Sequence, residues 1–168
     1  CRALAPHAQE ARHRTDNRIA TAMPEALFSF VSLAASVAWL LLALAAPMPM
    51  GAARRALLFA AGRGAPVALC AVYMVLLARY WGTTPGGGFR SLGTVLVLLS
   101  APGKMLGAWT HFLAFELLVG RWMVDDASVP GNARLALVAA LPATFLFGPF
   151  GLLLSLTGRS LLRSRASP

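Results

Sequence analysis

Acidic side chains are scarce in this chain of 168 residues: six Asp and Glu stand against fifteen Lys and Arg. Lysine is nearly missing as well. Lys104 is the only one beside fourteen arginines, which together with abundant alanine reads as the composition of a GC-rich genome rather than as a function. There are two cysteines, Cys1 and Cys70, with no metal-type spacing, so a zinc or iron–sulfur centre is not expected. The chain also lacks a glycine-rich phosphate loop, a dinucleotide fingerprint and a Ser/His/Asp order with a nucleophile elbow. Neither a nucleotide nor a metal is expected as a cofactor.

What is present is apolar surface. Hydrophobic residues make up 58% of the chain, only 12% is charged, and the mean hydropathy is +0.67. A soluble fold of this length leaves too much of its surface in water to hide that share, so lipid is the expected solvent. The formal charge of +9 does not point to nucleic acid. The arginines sit at the ends of apolar runs, without a dense basic block interleaved with stacking aromatics. There they suit anionic headgroups and the positive-inside rule.

The apolar runs predict an all-α integral membrane four-helix bundle. Residues 1–24 form a basic N-terminal extension; from Arg2 to Arg18 it carries four arginines and only Glu10 and Asp16 as acids. Such a stretch resembles what remains after removal of an organelle-targeting peptide. The membrane domain, 25–157, holds spans at about 25–46, 57–80, 104–124 and 134–157. Pro24 opens the first, and Pro47 and Pro49 close it. Residues 91–100 are apolar but too short to cross, and predict an interfacial or re-entrant piece before the third span. Asp125–Asp126 and Pro130–Gly131–Asn132 read as a solvated turn. Pro142, Gly148–Pro149 and Gly151 predict a kinked or broken fourth helix. A basic tail, 158–168, ends the chain. With four crossings, nine arginines fall on the side of both termini and five on the other. The positive-inside rule then places both termini on the stromal or matrix side.

The third span carries the chemistry. His111 and Glu116 lie near the bilayer middle, where ionisable groups face protein or water. Five residues apart, they point about 140° from each other on a straight helix. Trp109 and Glu116 share one face, Lys104 and His111 another. His111 is either a hydrogen-bonding partner for a neighbouring helix, a pigment or metal ligand, or a general acid or base. Glu116 is either a protonated or paired carboxyl, or a catalytic acid. Arg121–Trp122 is an interfacial anchor, and the stretch from Phe145 to Gly151 either packs closely through glycine or lines a cavity.

Trp109-x-His111-Phe-Leu-Ala-Phe-Glu116-Leu-x-Val-Gly120-Arg121-Trp122, followed by Leu141-Pro-x-Thr-Phe-x-Phe-Gly148-Pro149-x-Gly151, resembles the abscisic-acid-deficient-four-like family. These are small four-helix membrane proteins implicated in neoxanthin formation in plastids. Family members tend to carry tyrosine and aspartate where this chain has Phe112 and Glu116. The resemblance implies an association with xanthophylls and no redox cofactor. The implied reaction protonates an epoxide and removes a proton to give an allene, with Glu116 as acid and His111 as base. Trp109, Phe115, Gly148 and Pro149 are the candidate contacts to a bound carotenoid or lipid. The implied location is a plastid thylakoid or envelope membrane, with the mitochondrial inner membrane as the alternative. The other function consistent with the residues is that of an accessory subunit in a large photosynthetic or respiratory membrane complex. Its partners would be lipids and membrane proteins, not nucleic acid.

Overall fold

In a computed structural model, residues 5–126 and 133–164 are described, and every regular element among them is a helix. Pro130–Gly131–Asn132 and residues 165–168 of the basic tail lie outside the described residues. Helix α1 (Ala5–Ala45) runs through Pro24 rather than starting there. One proline removes a single backbone donor and strains one turn, and the apolar run beyond it carries the helix on. Pro47 and Pro49 end the apolar run, and Arg54 reaches back to donate from Nε to the carbonyl of Ala45 at 3.2 Å. A cation on the last carbonyls of a helix satisfies an orphan acceptor and complements the dipole.

The second rod begins earlier than the apolar pattern predicts. It comprises α2 (Ala52–Phe59), a π-helical turn at Ala60–Gly64, and α3 (Ala65–Tyr80). The wider turn absorbs the Gly62, Gly64 and Pro66 cluster without breaking the axis. Gly62 also gives room for a partner, since a side chain there would collide with the aliphatic stem of Arg121.

Residues 91–100 form the expected short piece, α4 (Leu92–Leu99), started by a reciprocal cap between Ser91 and Thr94. It meets α5 (Pro102–Asp126) at 101°. Helix α5 is the central element. It runs antiparallel to α3: Gly103 lies under Tyr80, His111 beside Tyr73, and Arg121 against Gly62. It runs parallel to α1: Trp109 meets Ser32, and Gly120 receives the ring of Trp39. On α1, Val31, Ala35, Ala38, Leu42 and Ala45 are buried at alternating spacings of four and three. That seam lets backbones approach closely through alanine while leucine fills the gaps.

The fourth span is two helices. Helix α6 (Ala133–Phe147) ends at Gly148, whose φ is +47°, and α7 (Pro149–Ser164) folds back against it. Small residues are buried on both helices, Ala140 and Thr144 on α6, Gly151 and Ser155 on α7, and Thr144 meets Gly151. A side chain at Gly151 would overlap the backbone of Thr144. At 15 residues, α6 is about 22 Å long, shorter than the roughly 30 Å hydrocarbon core.

Two stretches, Met23–Ala45 and Ala52–Tyr80, are long and apolar enough to cross a membrane, and α4 with α5 adds a third if counted as one broken span. The expectation of four crossing helices is thus met only in part. Because α7 turns back, Arg159 and Arg163 in its second half leave the side on which Arg79 and Arg90 lie. Among the described residues the count becomes five against seven, and charge no longer selects a side for the termini.

With α5 as the last crossing, the end of α7 shares a side with the α1–α2 loop. In protein lacking Cys1 and Cys70, Ser160→Cys in sealed vesicles should react with an impermeant maleimide from the same face as Arg55→Cys. It should stay opposite to Arg90→Cys. Labelling of Ser160→Cys together with Arg90→Cys would mean that α6–α7 crosses.

Candidate functional site

The two ionisable residues of α5 serve different neighbours. Ser32, level with Trp109, lies two residues before the middle of the Met23–Ala45 stretch. His111 therefore sits close to mid-depth. Glu116 is about 7.5 Å farther along the helix, and Lys104 about 10 Å back toward the interface.

His111 faces α3. Its ring stacks on Phe115 with centroids 4.6 Å apart and planes at 28°, and meets the Tyr73 ring at 5.4 Å. It lines a groove of about 350 Å³ between α3 and α5, with Tyr73, Tyr80, Lys104 and Gly107 along the walls and Phe89 and Leu98 near the α4 end. Glycine creates this space: Gly103 lets the Tyr80 ring lie flat against α5, and Gly107 sits opposite Leu76. The lining is chiefly hydrocarbon with two phenols, one indole, one ammonium and one imidazole. Such a groove suits an apolar molecule bearing a few oxygen atoms.

Glu116 faces the hairpin. It is 7% exposed, and its Oε1 is buried with no hydrogen-bond partner among the described residues. That oxygen occupies the space where a side chain on Gly148 would begin. Gly148 is therefore required twice, by its positive φ and by the carboxyl seated on it. Its own N–H donates to the Thr144 carbonyl at 2.7 Å, and Pro149 starts α7 with the φ a first helical turn needs. Glu116 thus packs on the point where the chain reverses.

The candidate residues separate accordingly. Phe115 joins His111 on the open face. Trp109 belongs to the α1 contact: it donates from Nε1 to Ser32 Oγ at 3.0 Å, meets the Phe28 ring at a tilt and stacks with Phe112. Gly148 lies beneath Glu116, and Pro149 is exposed at the hairpin tip. His111 and Glu116 do not share a site, in keeping with their angle on the helix. Tyr73, Tyr80 and Lys104 are groove residues that the motif did not mark. Their signal was the seven-residue spacing of Tyr73 with Tyr80 and of Lys104 with His111, which puts each pair on one helix face. Among the described residues no cluster of His, Cys, Asp and Glu could hold a metal ion.

These features define a helical integral membrane protein with an apolar, lipid-level groove on one side of its central helix and a carboxyl-seated hairpin on the other. The family model described as ABA DEFICIENT 4-like matches residues 26–154. The chain belongs to the ABA DEFICIENT 4-like family. No curated protein and no solved structure matches it. The match spans α1 beyond Pro24 through the first turns of α7, and so takes in the groove, Glu116 and the hairpin reversal.

The Gly148 seat has a quantitative consequence. Gly148→Ala combines a disfavoured φ with overlap on Glu116, and should destabilise the protein by about 2–4 kcal/mol. In a Glu116→Ala background the same change should cost at least about 1 kcal/mol less, because only the backbone strain remains. Unfolding of the four proteins of this cycle in detergent measures the difference. Equal costs in both backgrounds would show that the two residues do not touch.

Proposed function

We propose that the protein binds a xanthophyll in a plastid membrane, with one oxygenated end ring in the α3–α5 groove and the polyene lying along the lipid-facing side of α5. The groove itself carries this reading: it is apolar, opens at bilayer depth, and offers Tyr73, Tyr80, Lys104 and His111 to an otherwise hydrocarbon ligand. Membership of the ABA DEFICIENT 4-like family supports the ligand class. Phe115, stacked on His111 and exposed toward lipid, extends the aromatic surface on which a polyene can lie.

The same groove suits an isomerisation of an epoxide to an allenic alcohol. A proton is delivered to the epoxide oxygen, the carbon–oxygen bond breaks, and a proton leaves a polyene carbon, so the atoms balance without any redox partner. Acid and base must both reach the ring. The groups that meet this condition belong to the groove. His111 takes the proton from carbon, and Tyr73, whose ring lies 5.4 Å from the imidazole by their centres, supplies one to oxygen. Glu116, packed on Gly148 across the helix, holds the hairpin in place.

Purified protein supplied with an epoxy-xanthophyll tests the assignment. His111→Ala should lower conversion at least tenfold, and Gly107→Leu, which fills the groove, should abolish pigment retention. Glu116→Gln should keep both within about twofold. Retention that survives Gly107→Leu, or conversion lost in Glu116→Gln but kept in His111→Ala, would overturn the proposal.

A further inference from the structure

The open end of the groove carries more positive charge than the ligand above uses. Between Glu25 and Glu116 the chain contains no acidic residue. At the end of the bundle where α3 stops and α5 begins, Arg79 and Arg90 are exposed and Lys104 is half-buried. Lys104 lines the groove, and Arg79 and Arg90 stand next in the chain to its lining residues Tyr80 and Phe89. Beside these cations, Trp81, Phe89, Leu92 and Leu96 are 73%, 85%, 75% and 62% exposed. They belong to the loop and short helix set across the axis of α5. Three acids of α1, Glu10, Asp16 and Glu25, fall toward this end, and Glu25 is the one that adjoins the apolar span. It lines a separate groove between α1 and α5, with Pro102, Met105 and Trp109, on the other side of α5.

Three cations bordered by exposed aromatic and aliphatic side chains at the membrane boundary have the character of one molecule's complement: a phosphate with hydrocarbon attached. We propose that this end of the groove is a binding site for an anionic phospholipid. Its headgroup phosphate lies among Arg79, Arg90 and Lys104, and one acyl chain lies along Trp81, Phe89 and Leu98. A zwitterionic lipid carries its own ammonium beside the phosphate and gains less from the same cations. The site therefore discriminates headgroups by net charge. The lipid closes the groove at the interface, while its deeper part, at Tyr73 and His111, remains free.

Trp81 reports occupancy directly. The protein is placed in phosphatidylcholine vesicles, and phosphatidylglycerol or phosphatidylcholine with brominated acyl chains is added in steps. The Trp81 contribution is taken as the difference from Trp81→Phe. Brominated phosphatidylglycerol should reach half-maximal quenching at a mole fraction at least fivefold lower than brominated phosphatidylcholine. Arg79→Gln/Arg90→Gln/Lys104→Gln should bring the two lipids to within about twofold. Arg79→Lys/Arg90→Lys, which keeps the charge, should retain the preference, as should Arg63→Gln at the other end of the bundle. Equal quenching by the two lipids in the unaltered protein would overturn the proposal. So would a preference that survives the triple variant or is lost with Arg63→Gln. No pigment is present in the assay, so its outcome is independent of the xanthophyll reading.

Discussion

A helix at bilayer depth must pair its polar groups within the protein, and α5 carries the two ionisable ones nearest its middle, His111 and Glu116. Its rotation of 100° per residue distributes its residues among three neighbours. Trp109 and Gly120 go to α1, His111 and Arg121 to the α2–α3 rod, and Glu116 to the α6–α7 hairpin. The rest of the architecture follows from satisfying each of these at once. Glycines mark where the neighbours come closest: Gly62 under Arg121, Gly103 under Tyr80, Gly120 under Trp39, Gly148 under Glu116. In each case the partner occupies the space a Cβ would fill, so small residues act here as sockets for large ones.

This division separates structure from chemistry. The face toward α1 is filled by Trp109 and by the Trp39 ring on Gly120, with a groove near Glu25 and Pro102, and the face toward the hairpin holds a carboxyl against a reversed backbone. The face toward α3 is left open, since α4 crosses at an angle instead of continuing the bundle. Functional groups on that face, an imidazole and a phenol 5.4 Å apart by their ring centres, have access to lipid-borne molecules. Glu116, although it is the most conspicuous membrane-depth acid in the chain, is buried away from them.

Much of this was legible in the chain itself. The lipid setting, the short piece at 91–100, the break near Gly148 and the divergence of His111 from Glu116 all follow from composition and helical angles. The family follows from the third- and fourth-helix motifs. The groove was not legible, because Tyr73 and Tyr80 acquire meaning only once the register of α3 on α5 is known. Nor was the reversal at Gly148. A Gly-Pro pair breaks a helix in any context, but whether the chain bends or doubles back depends on Thr144 meeting Gly151, a tertiary contact. That single reversal also changes the parity of membrane crossings, so the arginine count lost its power to orient the termini. Pro24 shows the opposite error, a strong local signal overridden by a helix that continues through it.

The central claim is that opposite faces of α5 look to different partners, and cysteine crosslinking in native membranes tests it most directly. In protein lacking Cys1 and Cys70, Tyr73→Cys with His111→Cys, and Glu116→Cys with Pro149→Cys, should each be joined readily by a short bifunctional thiol reagent. His111→Cys with Pro149→Cys should not. Efficient crosslinking of that last pair would place His111 and the hairpin reversal on one face, and would contradict the account.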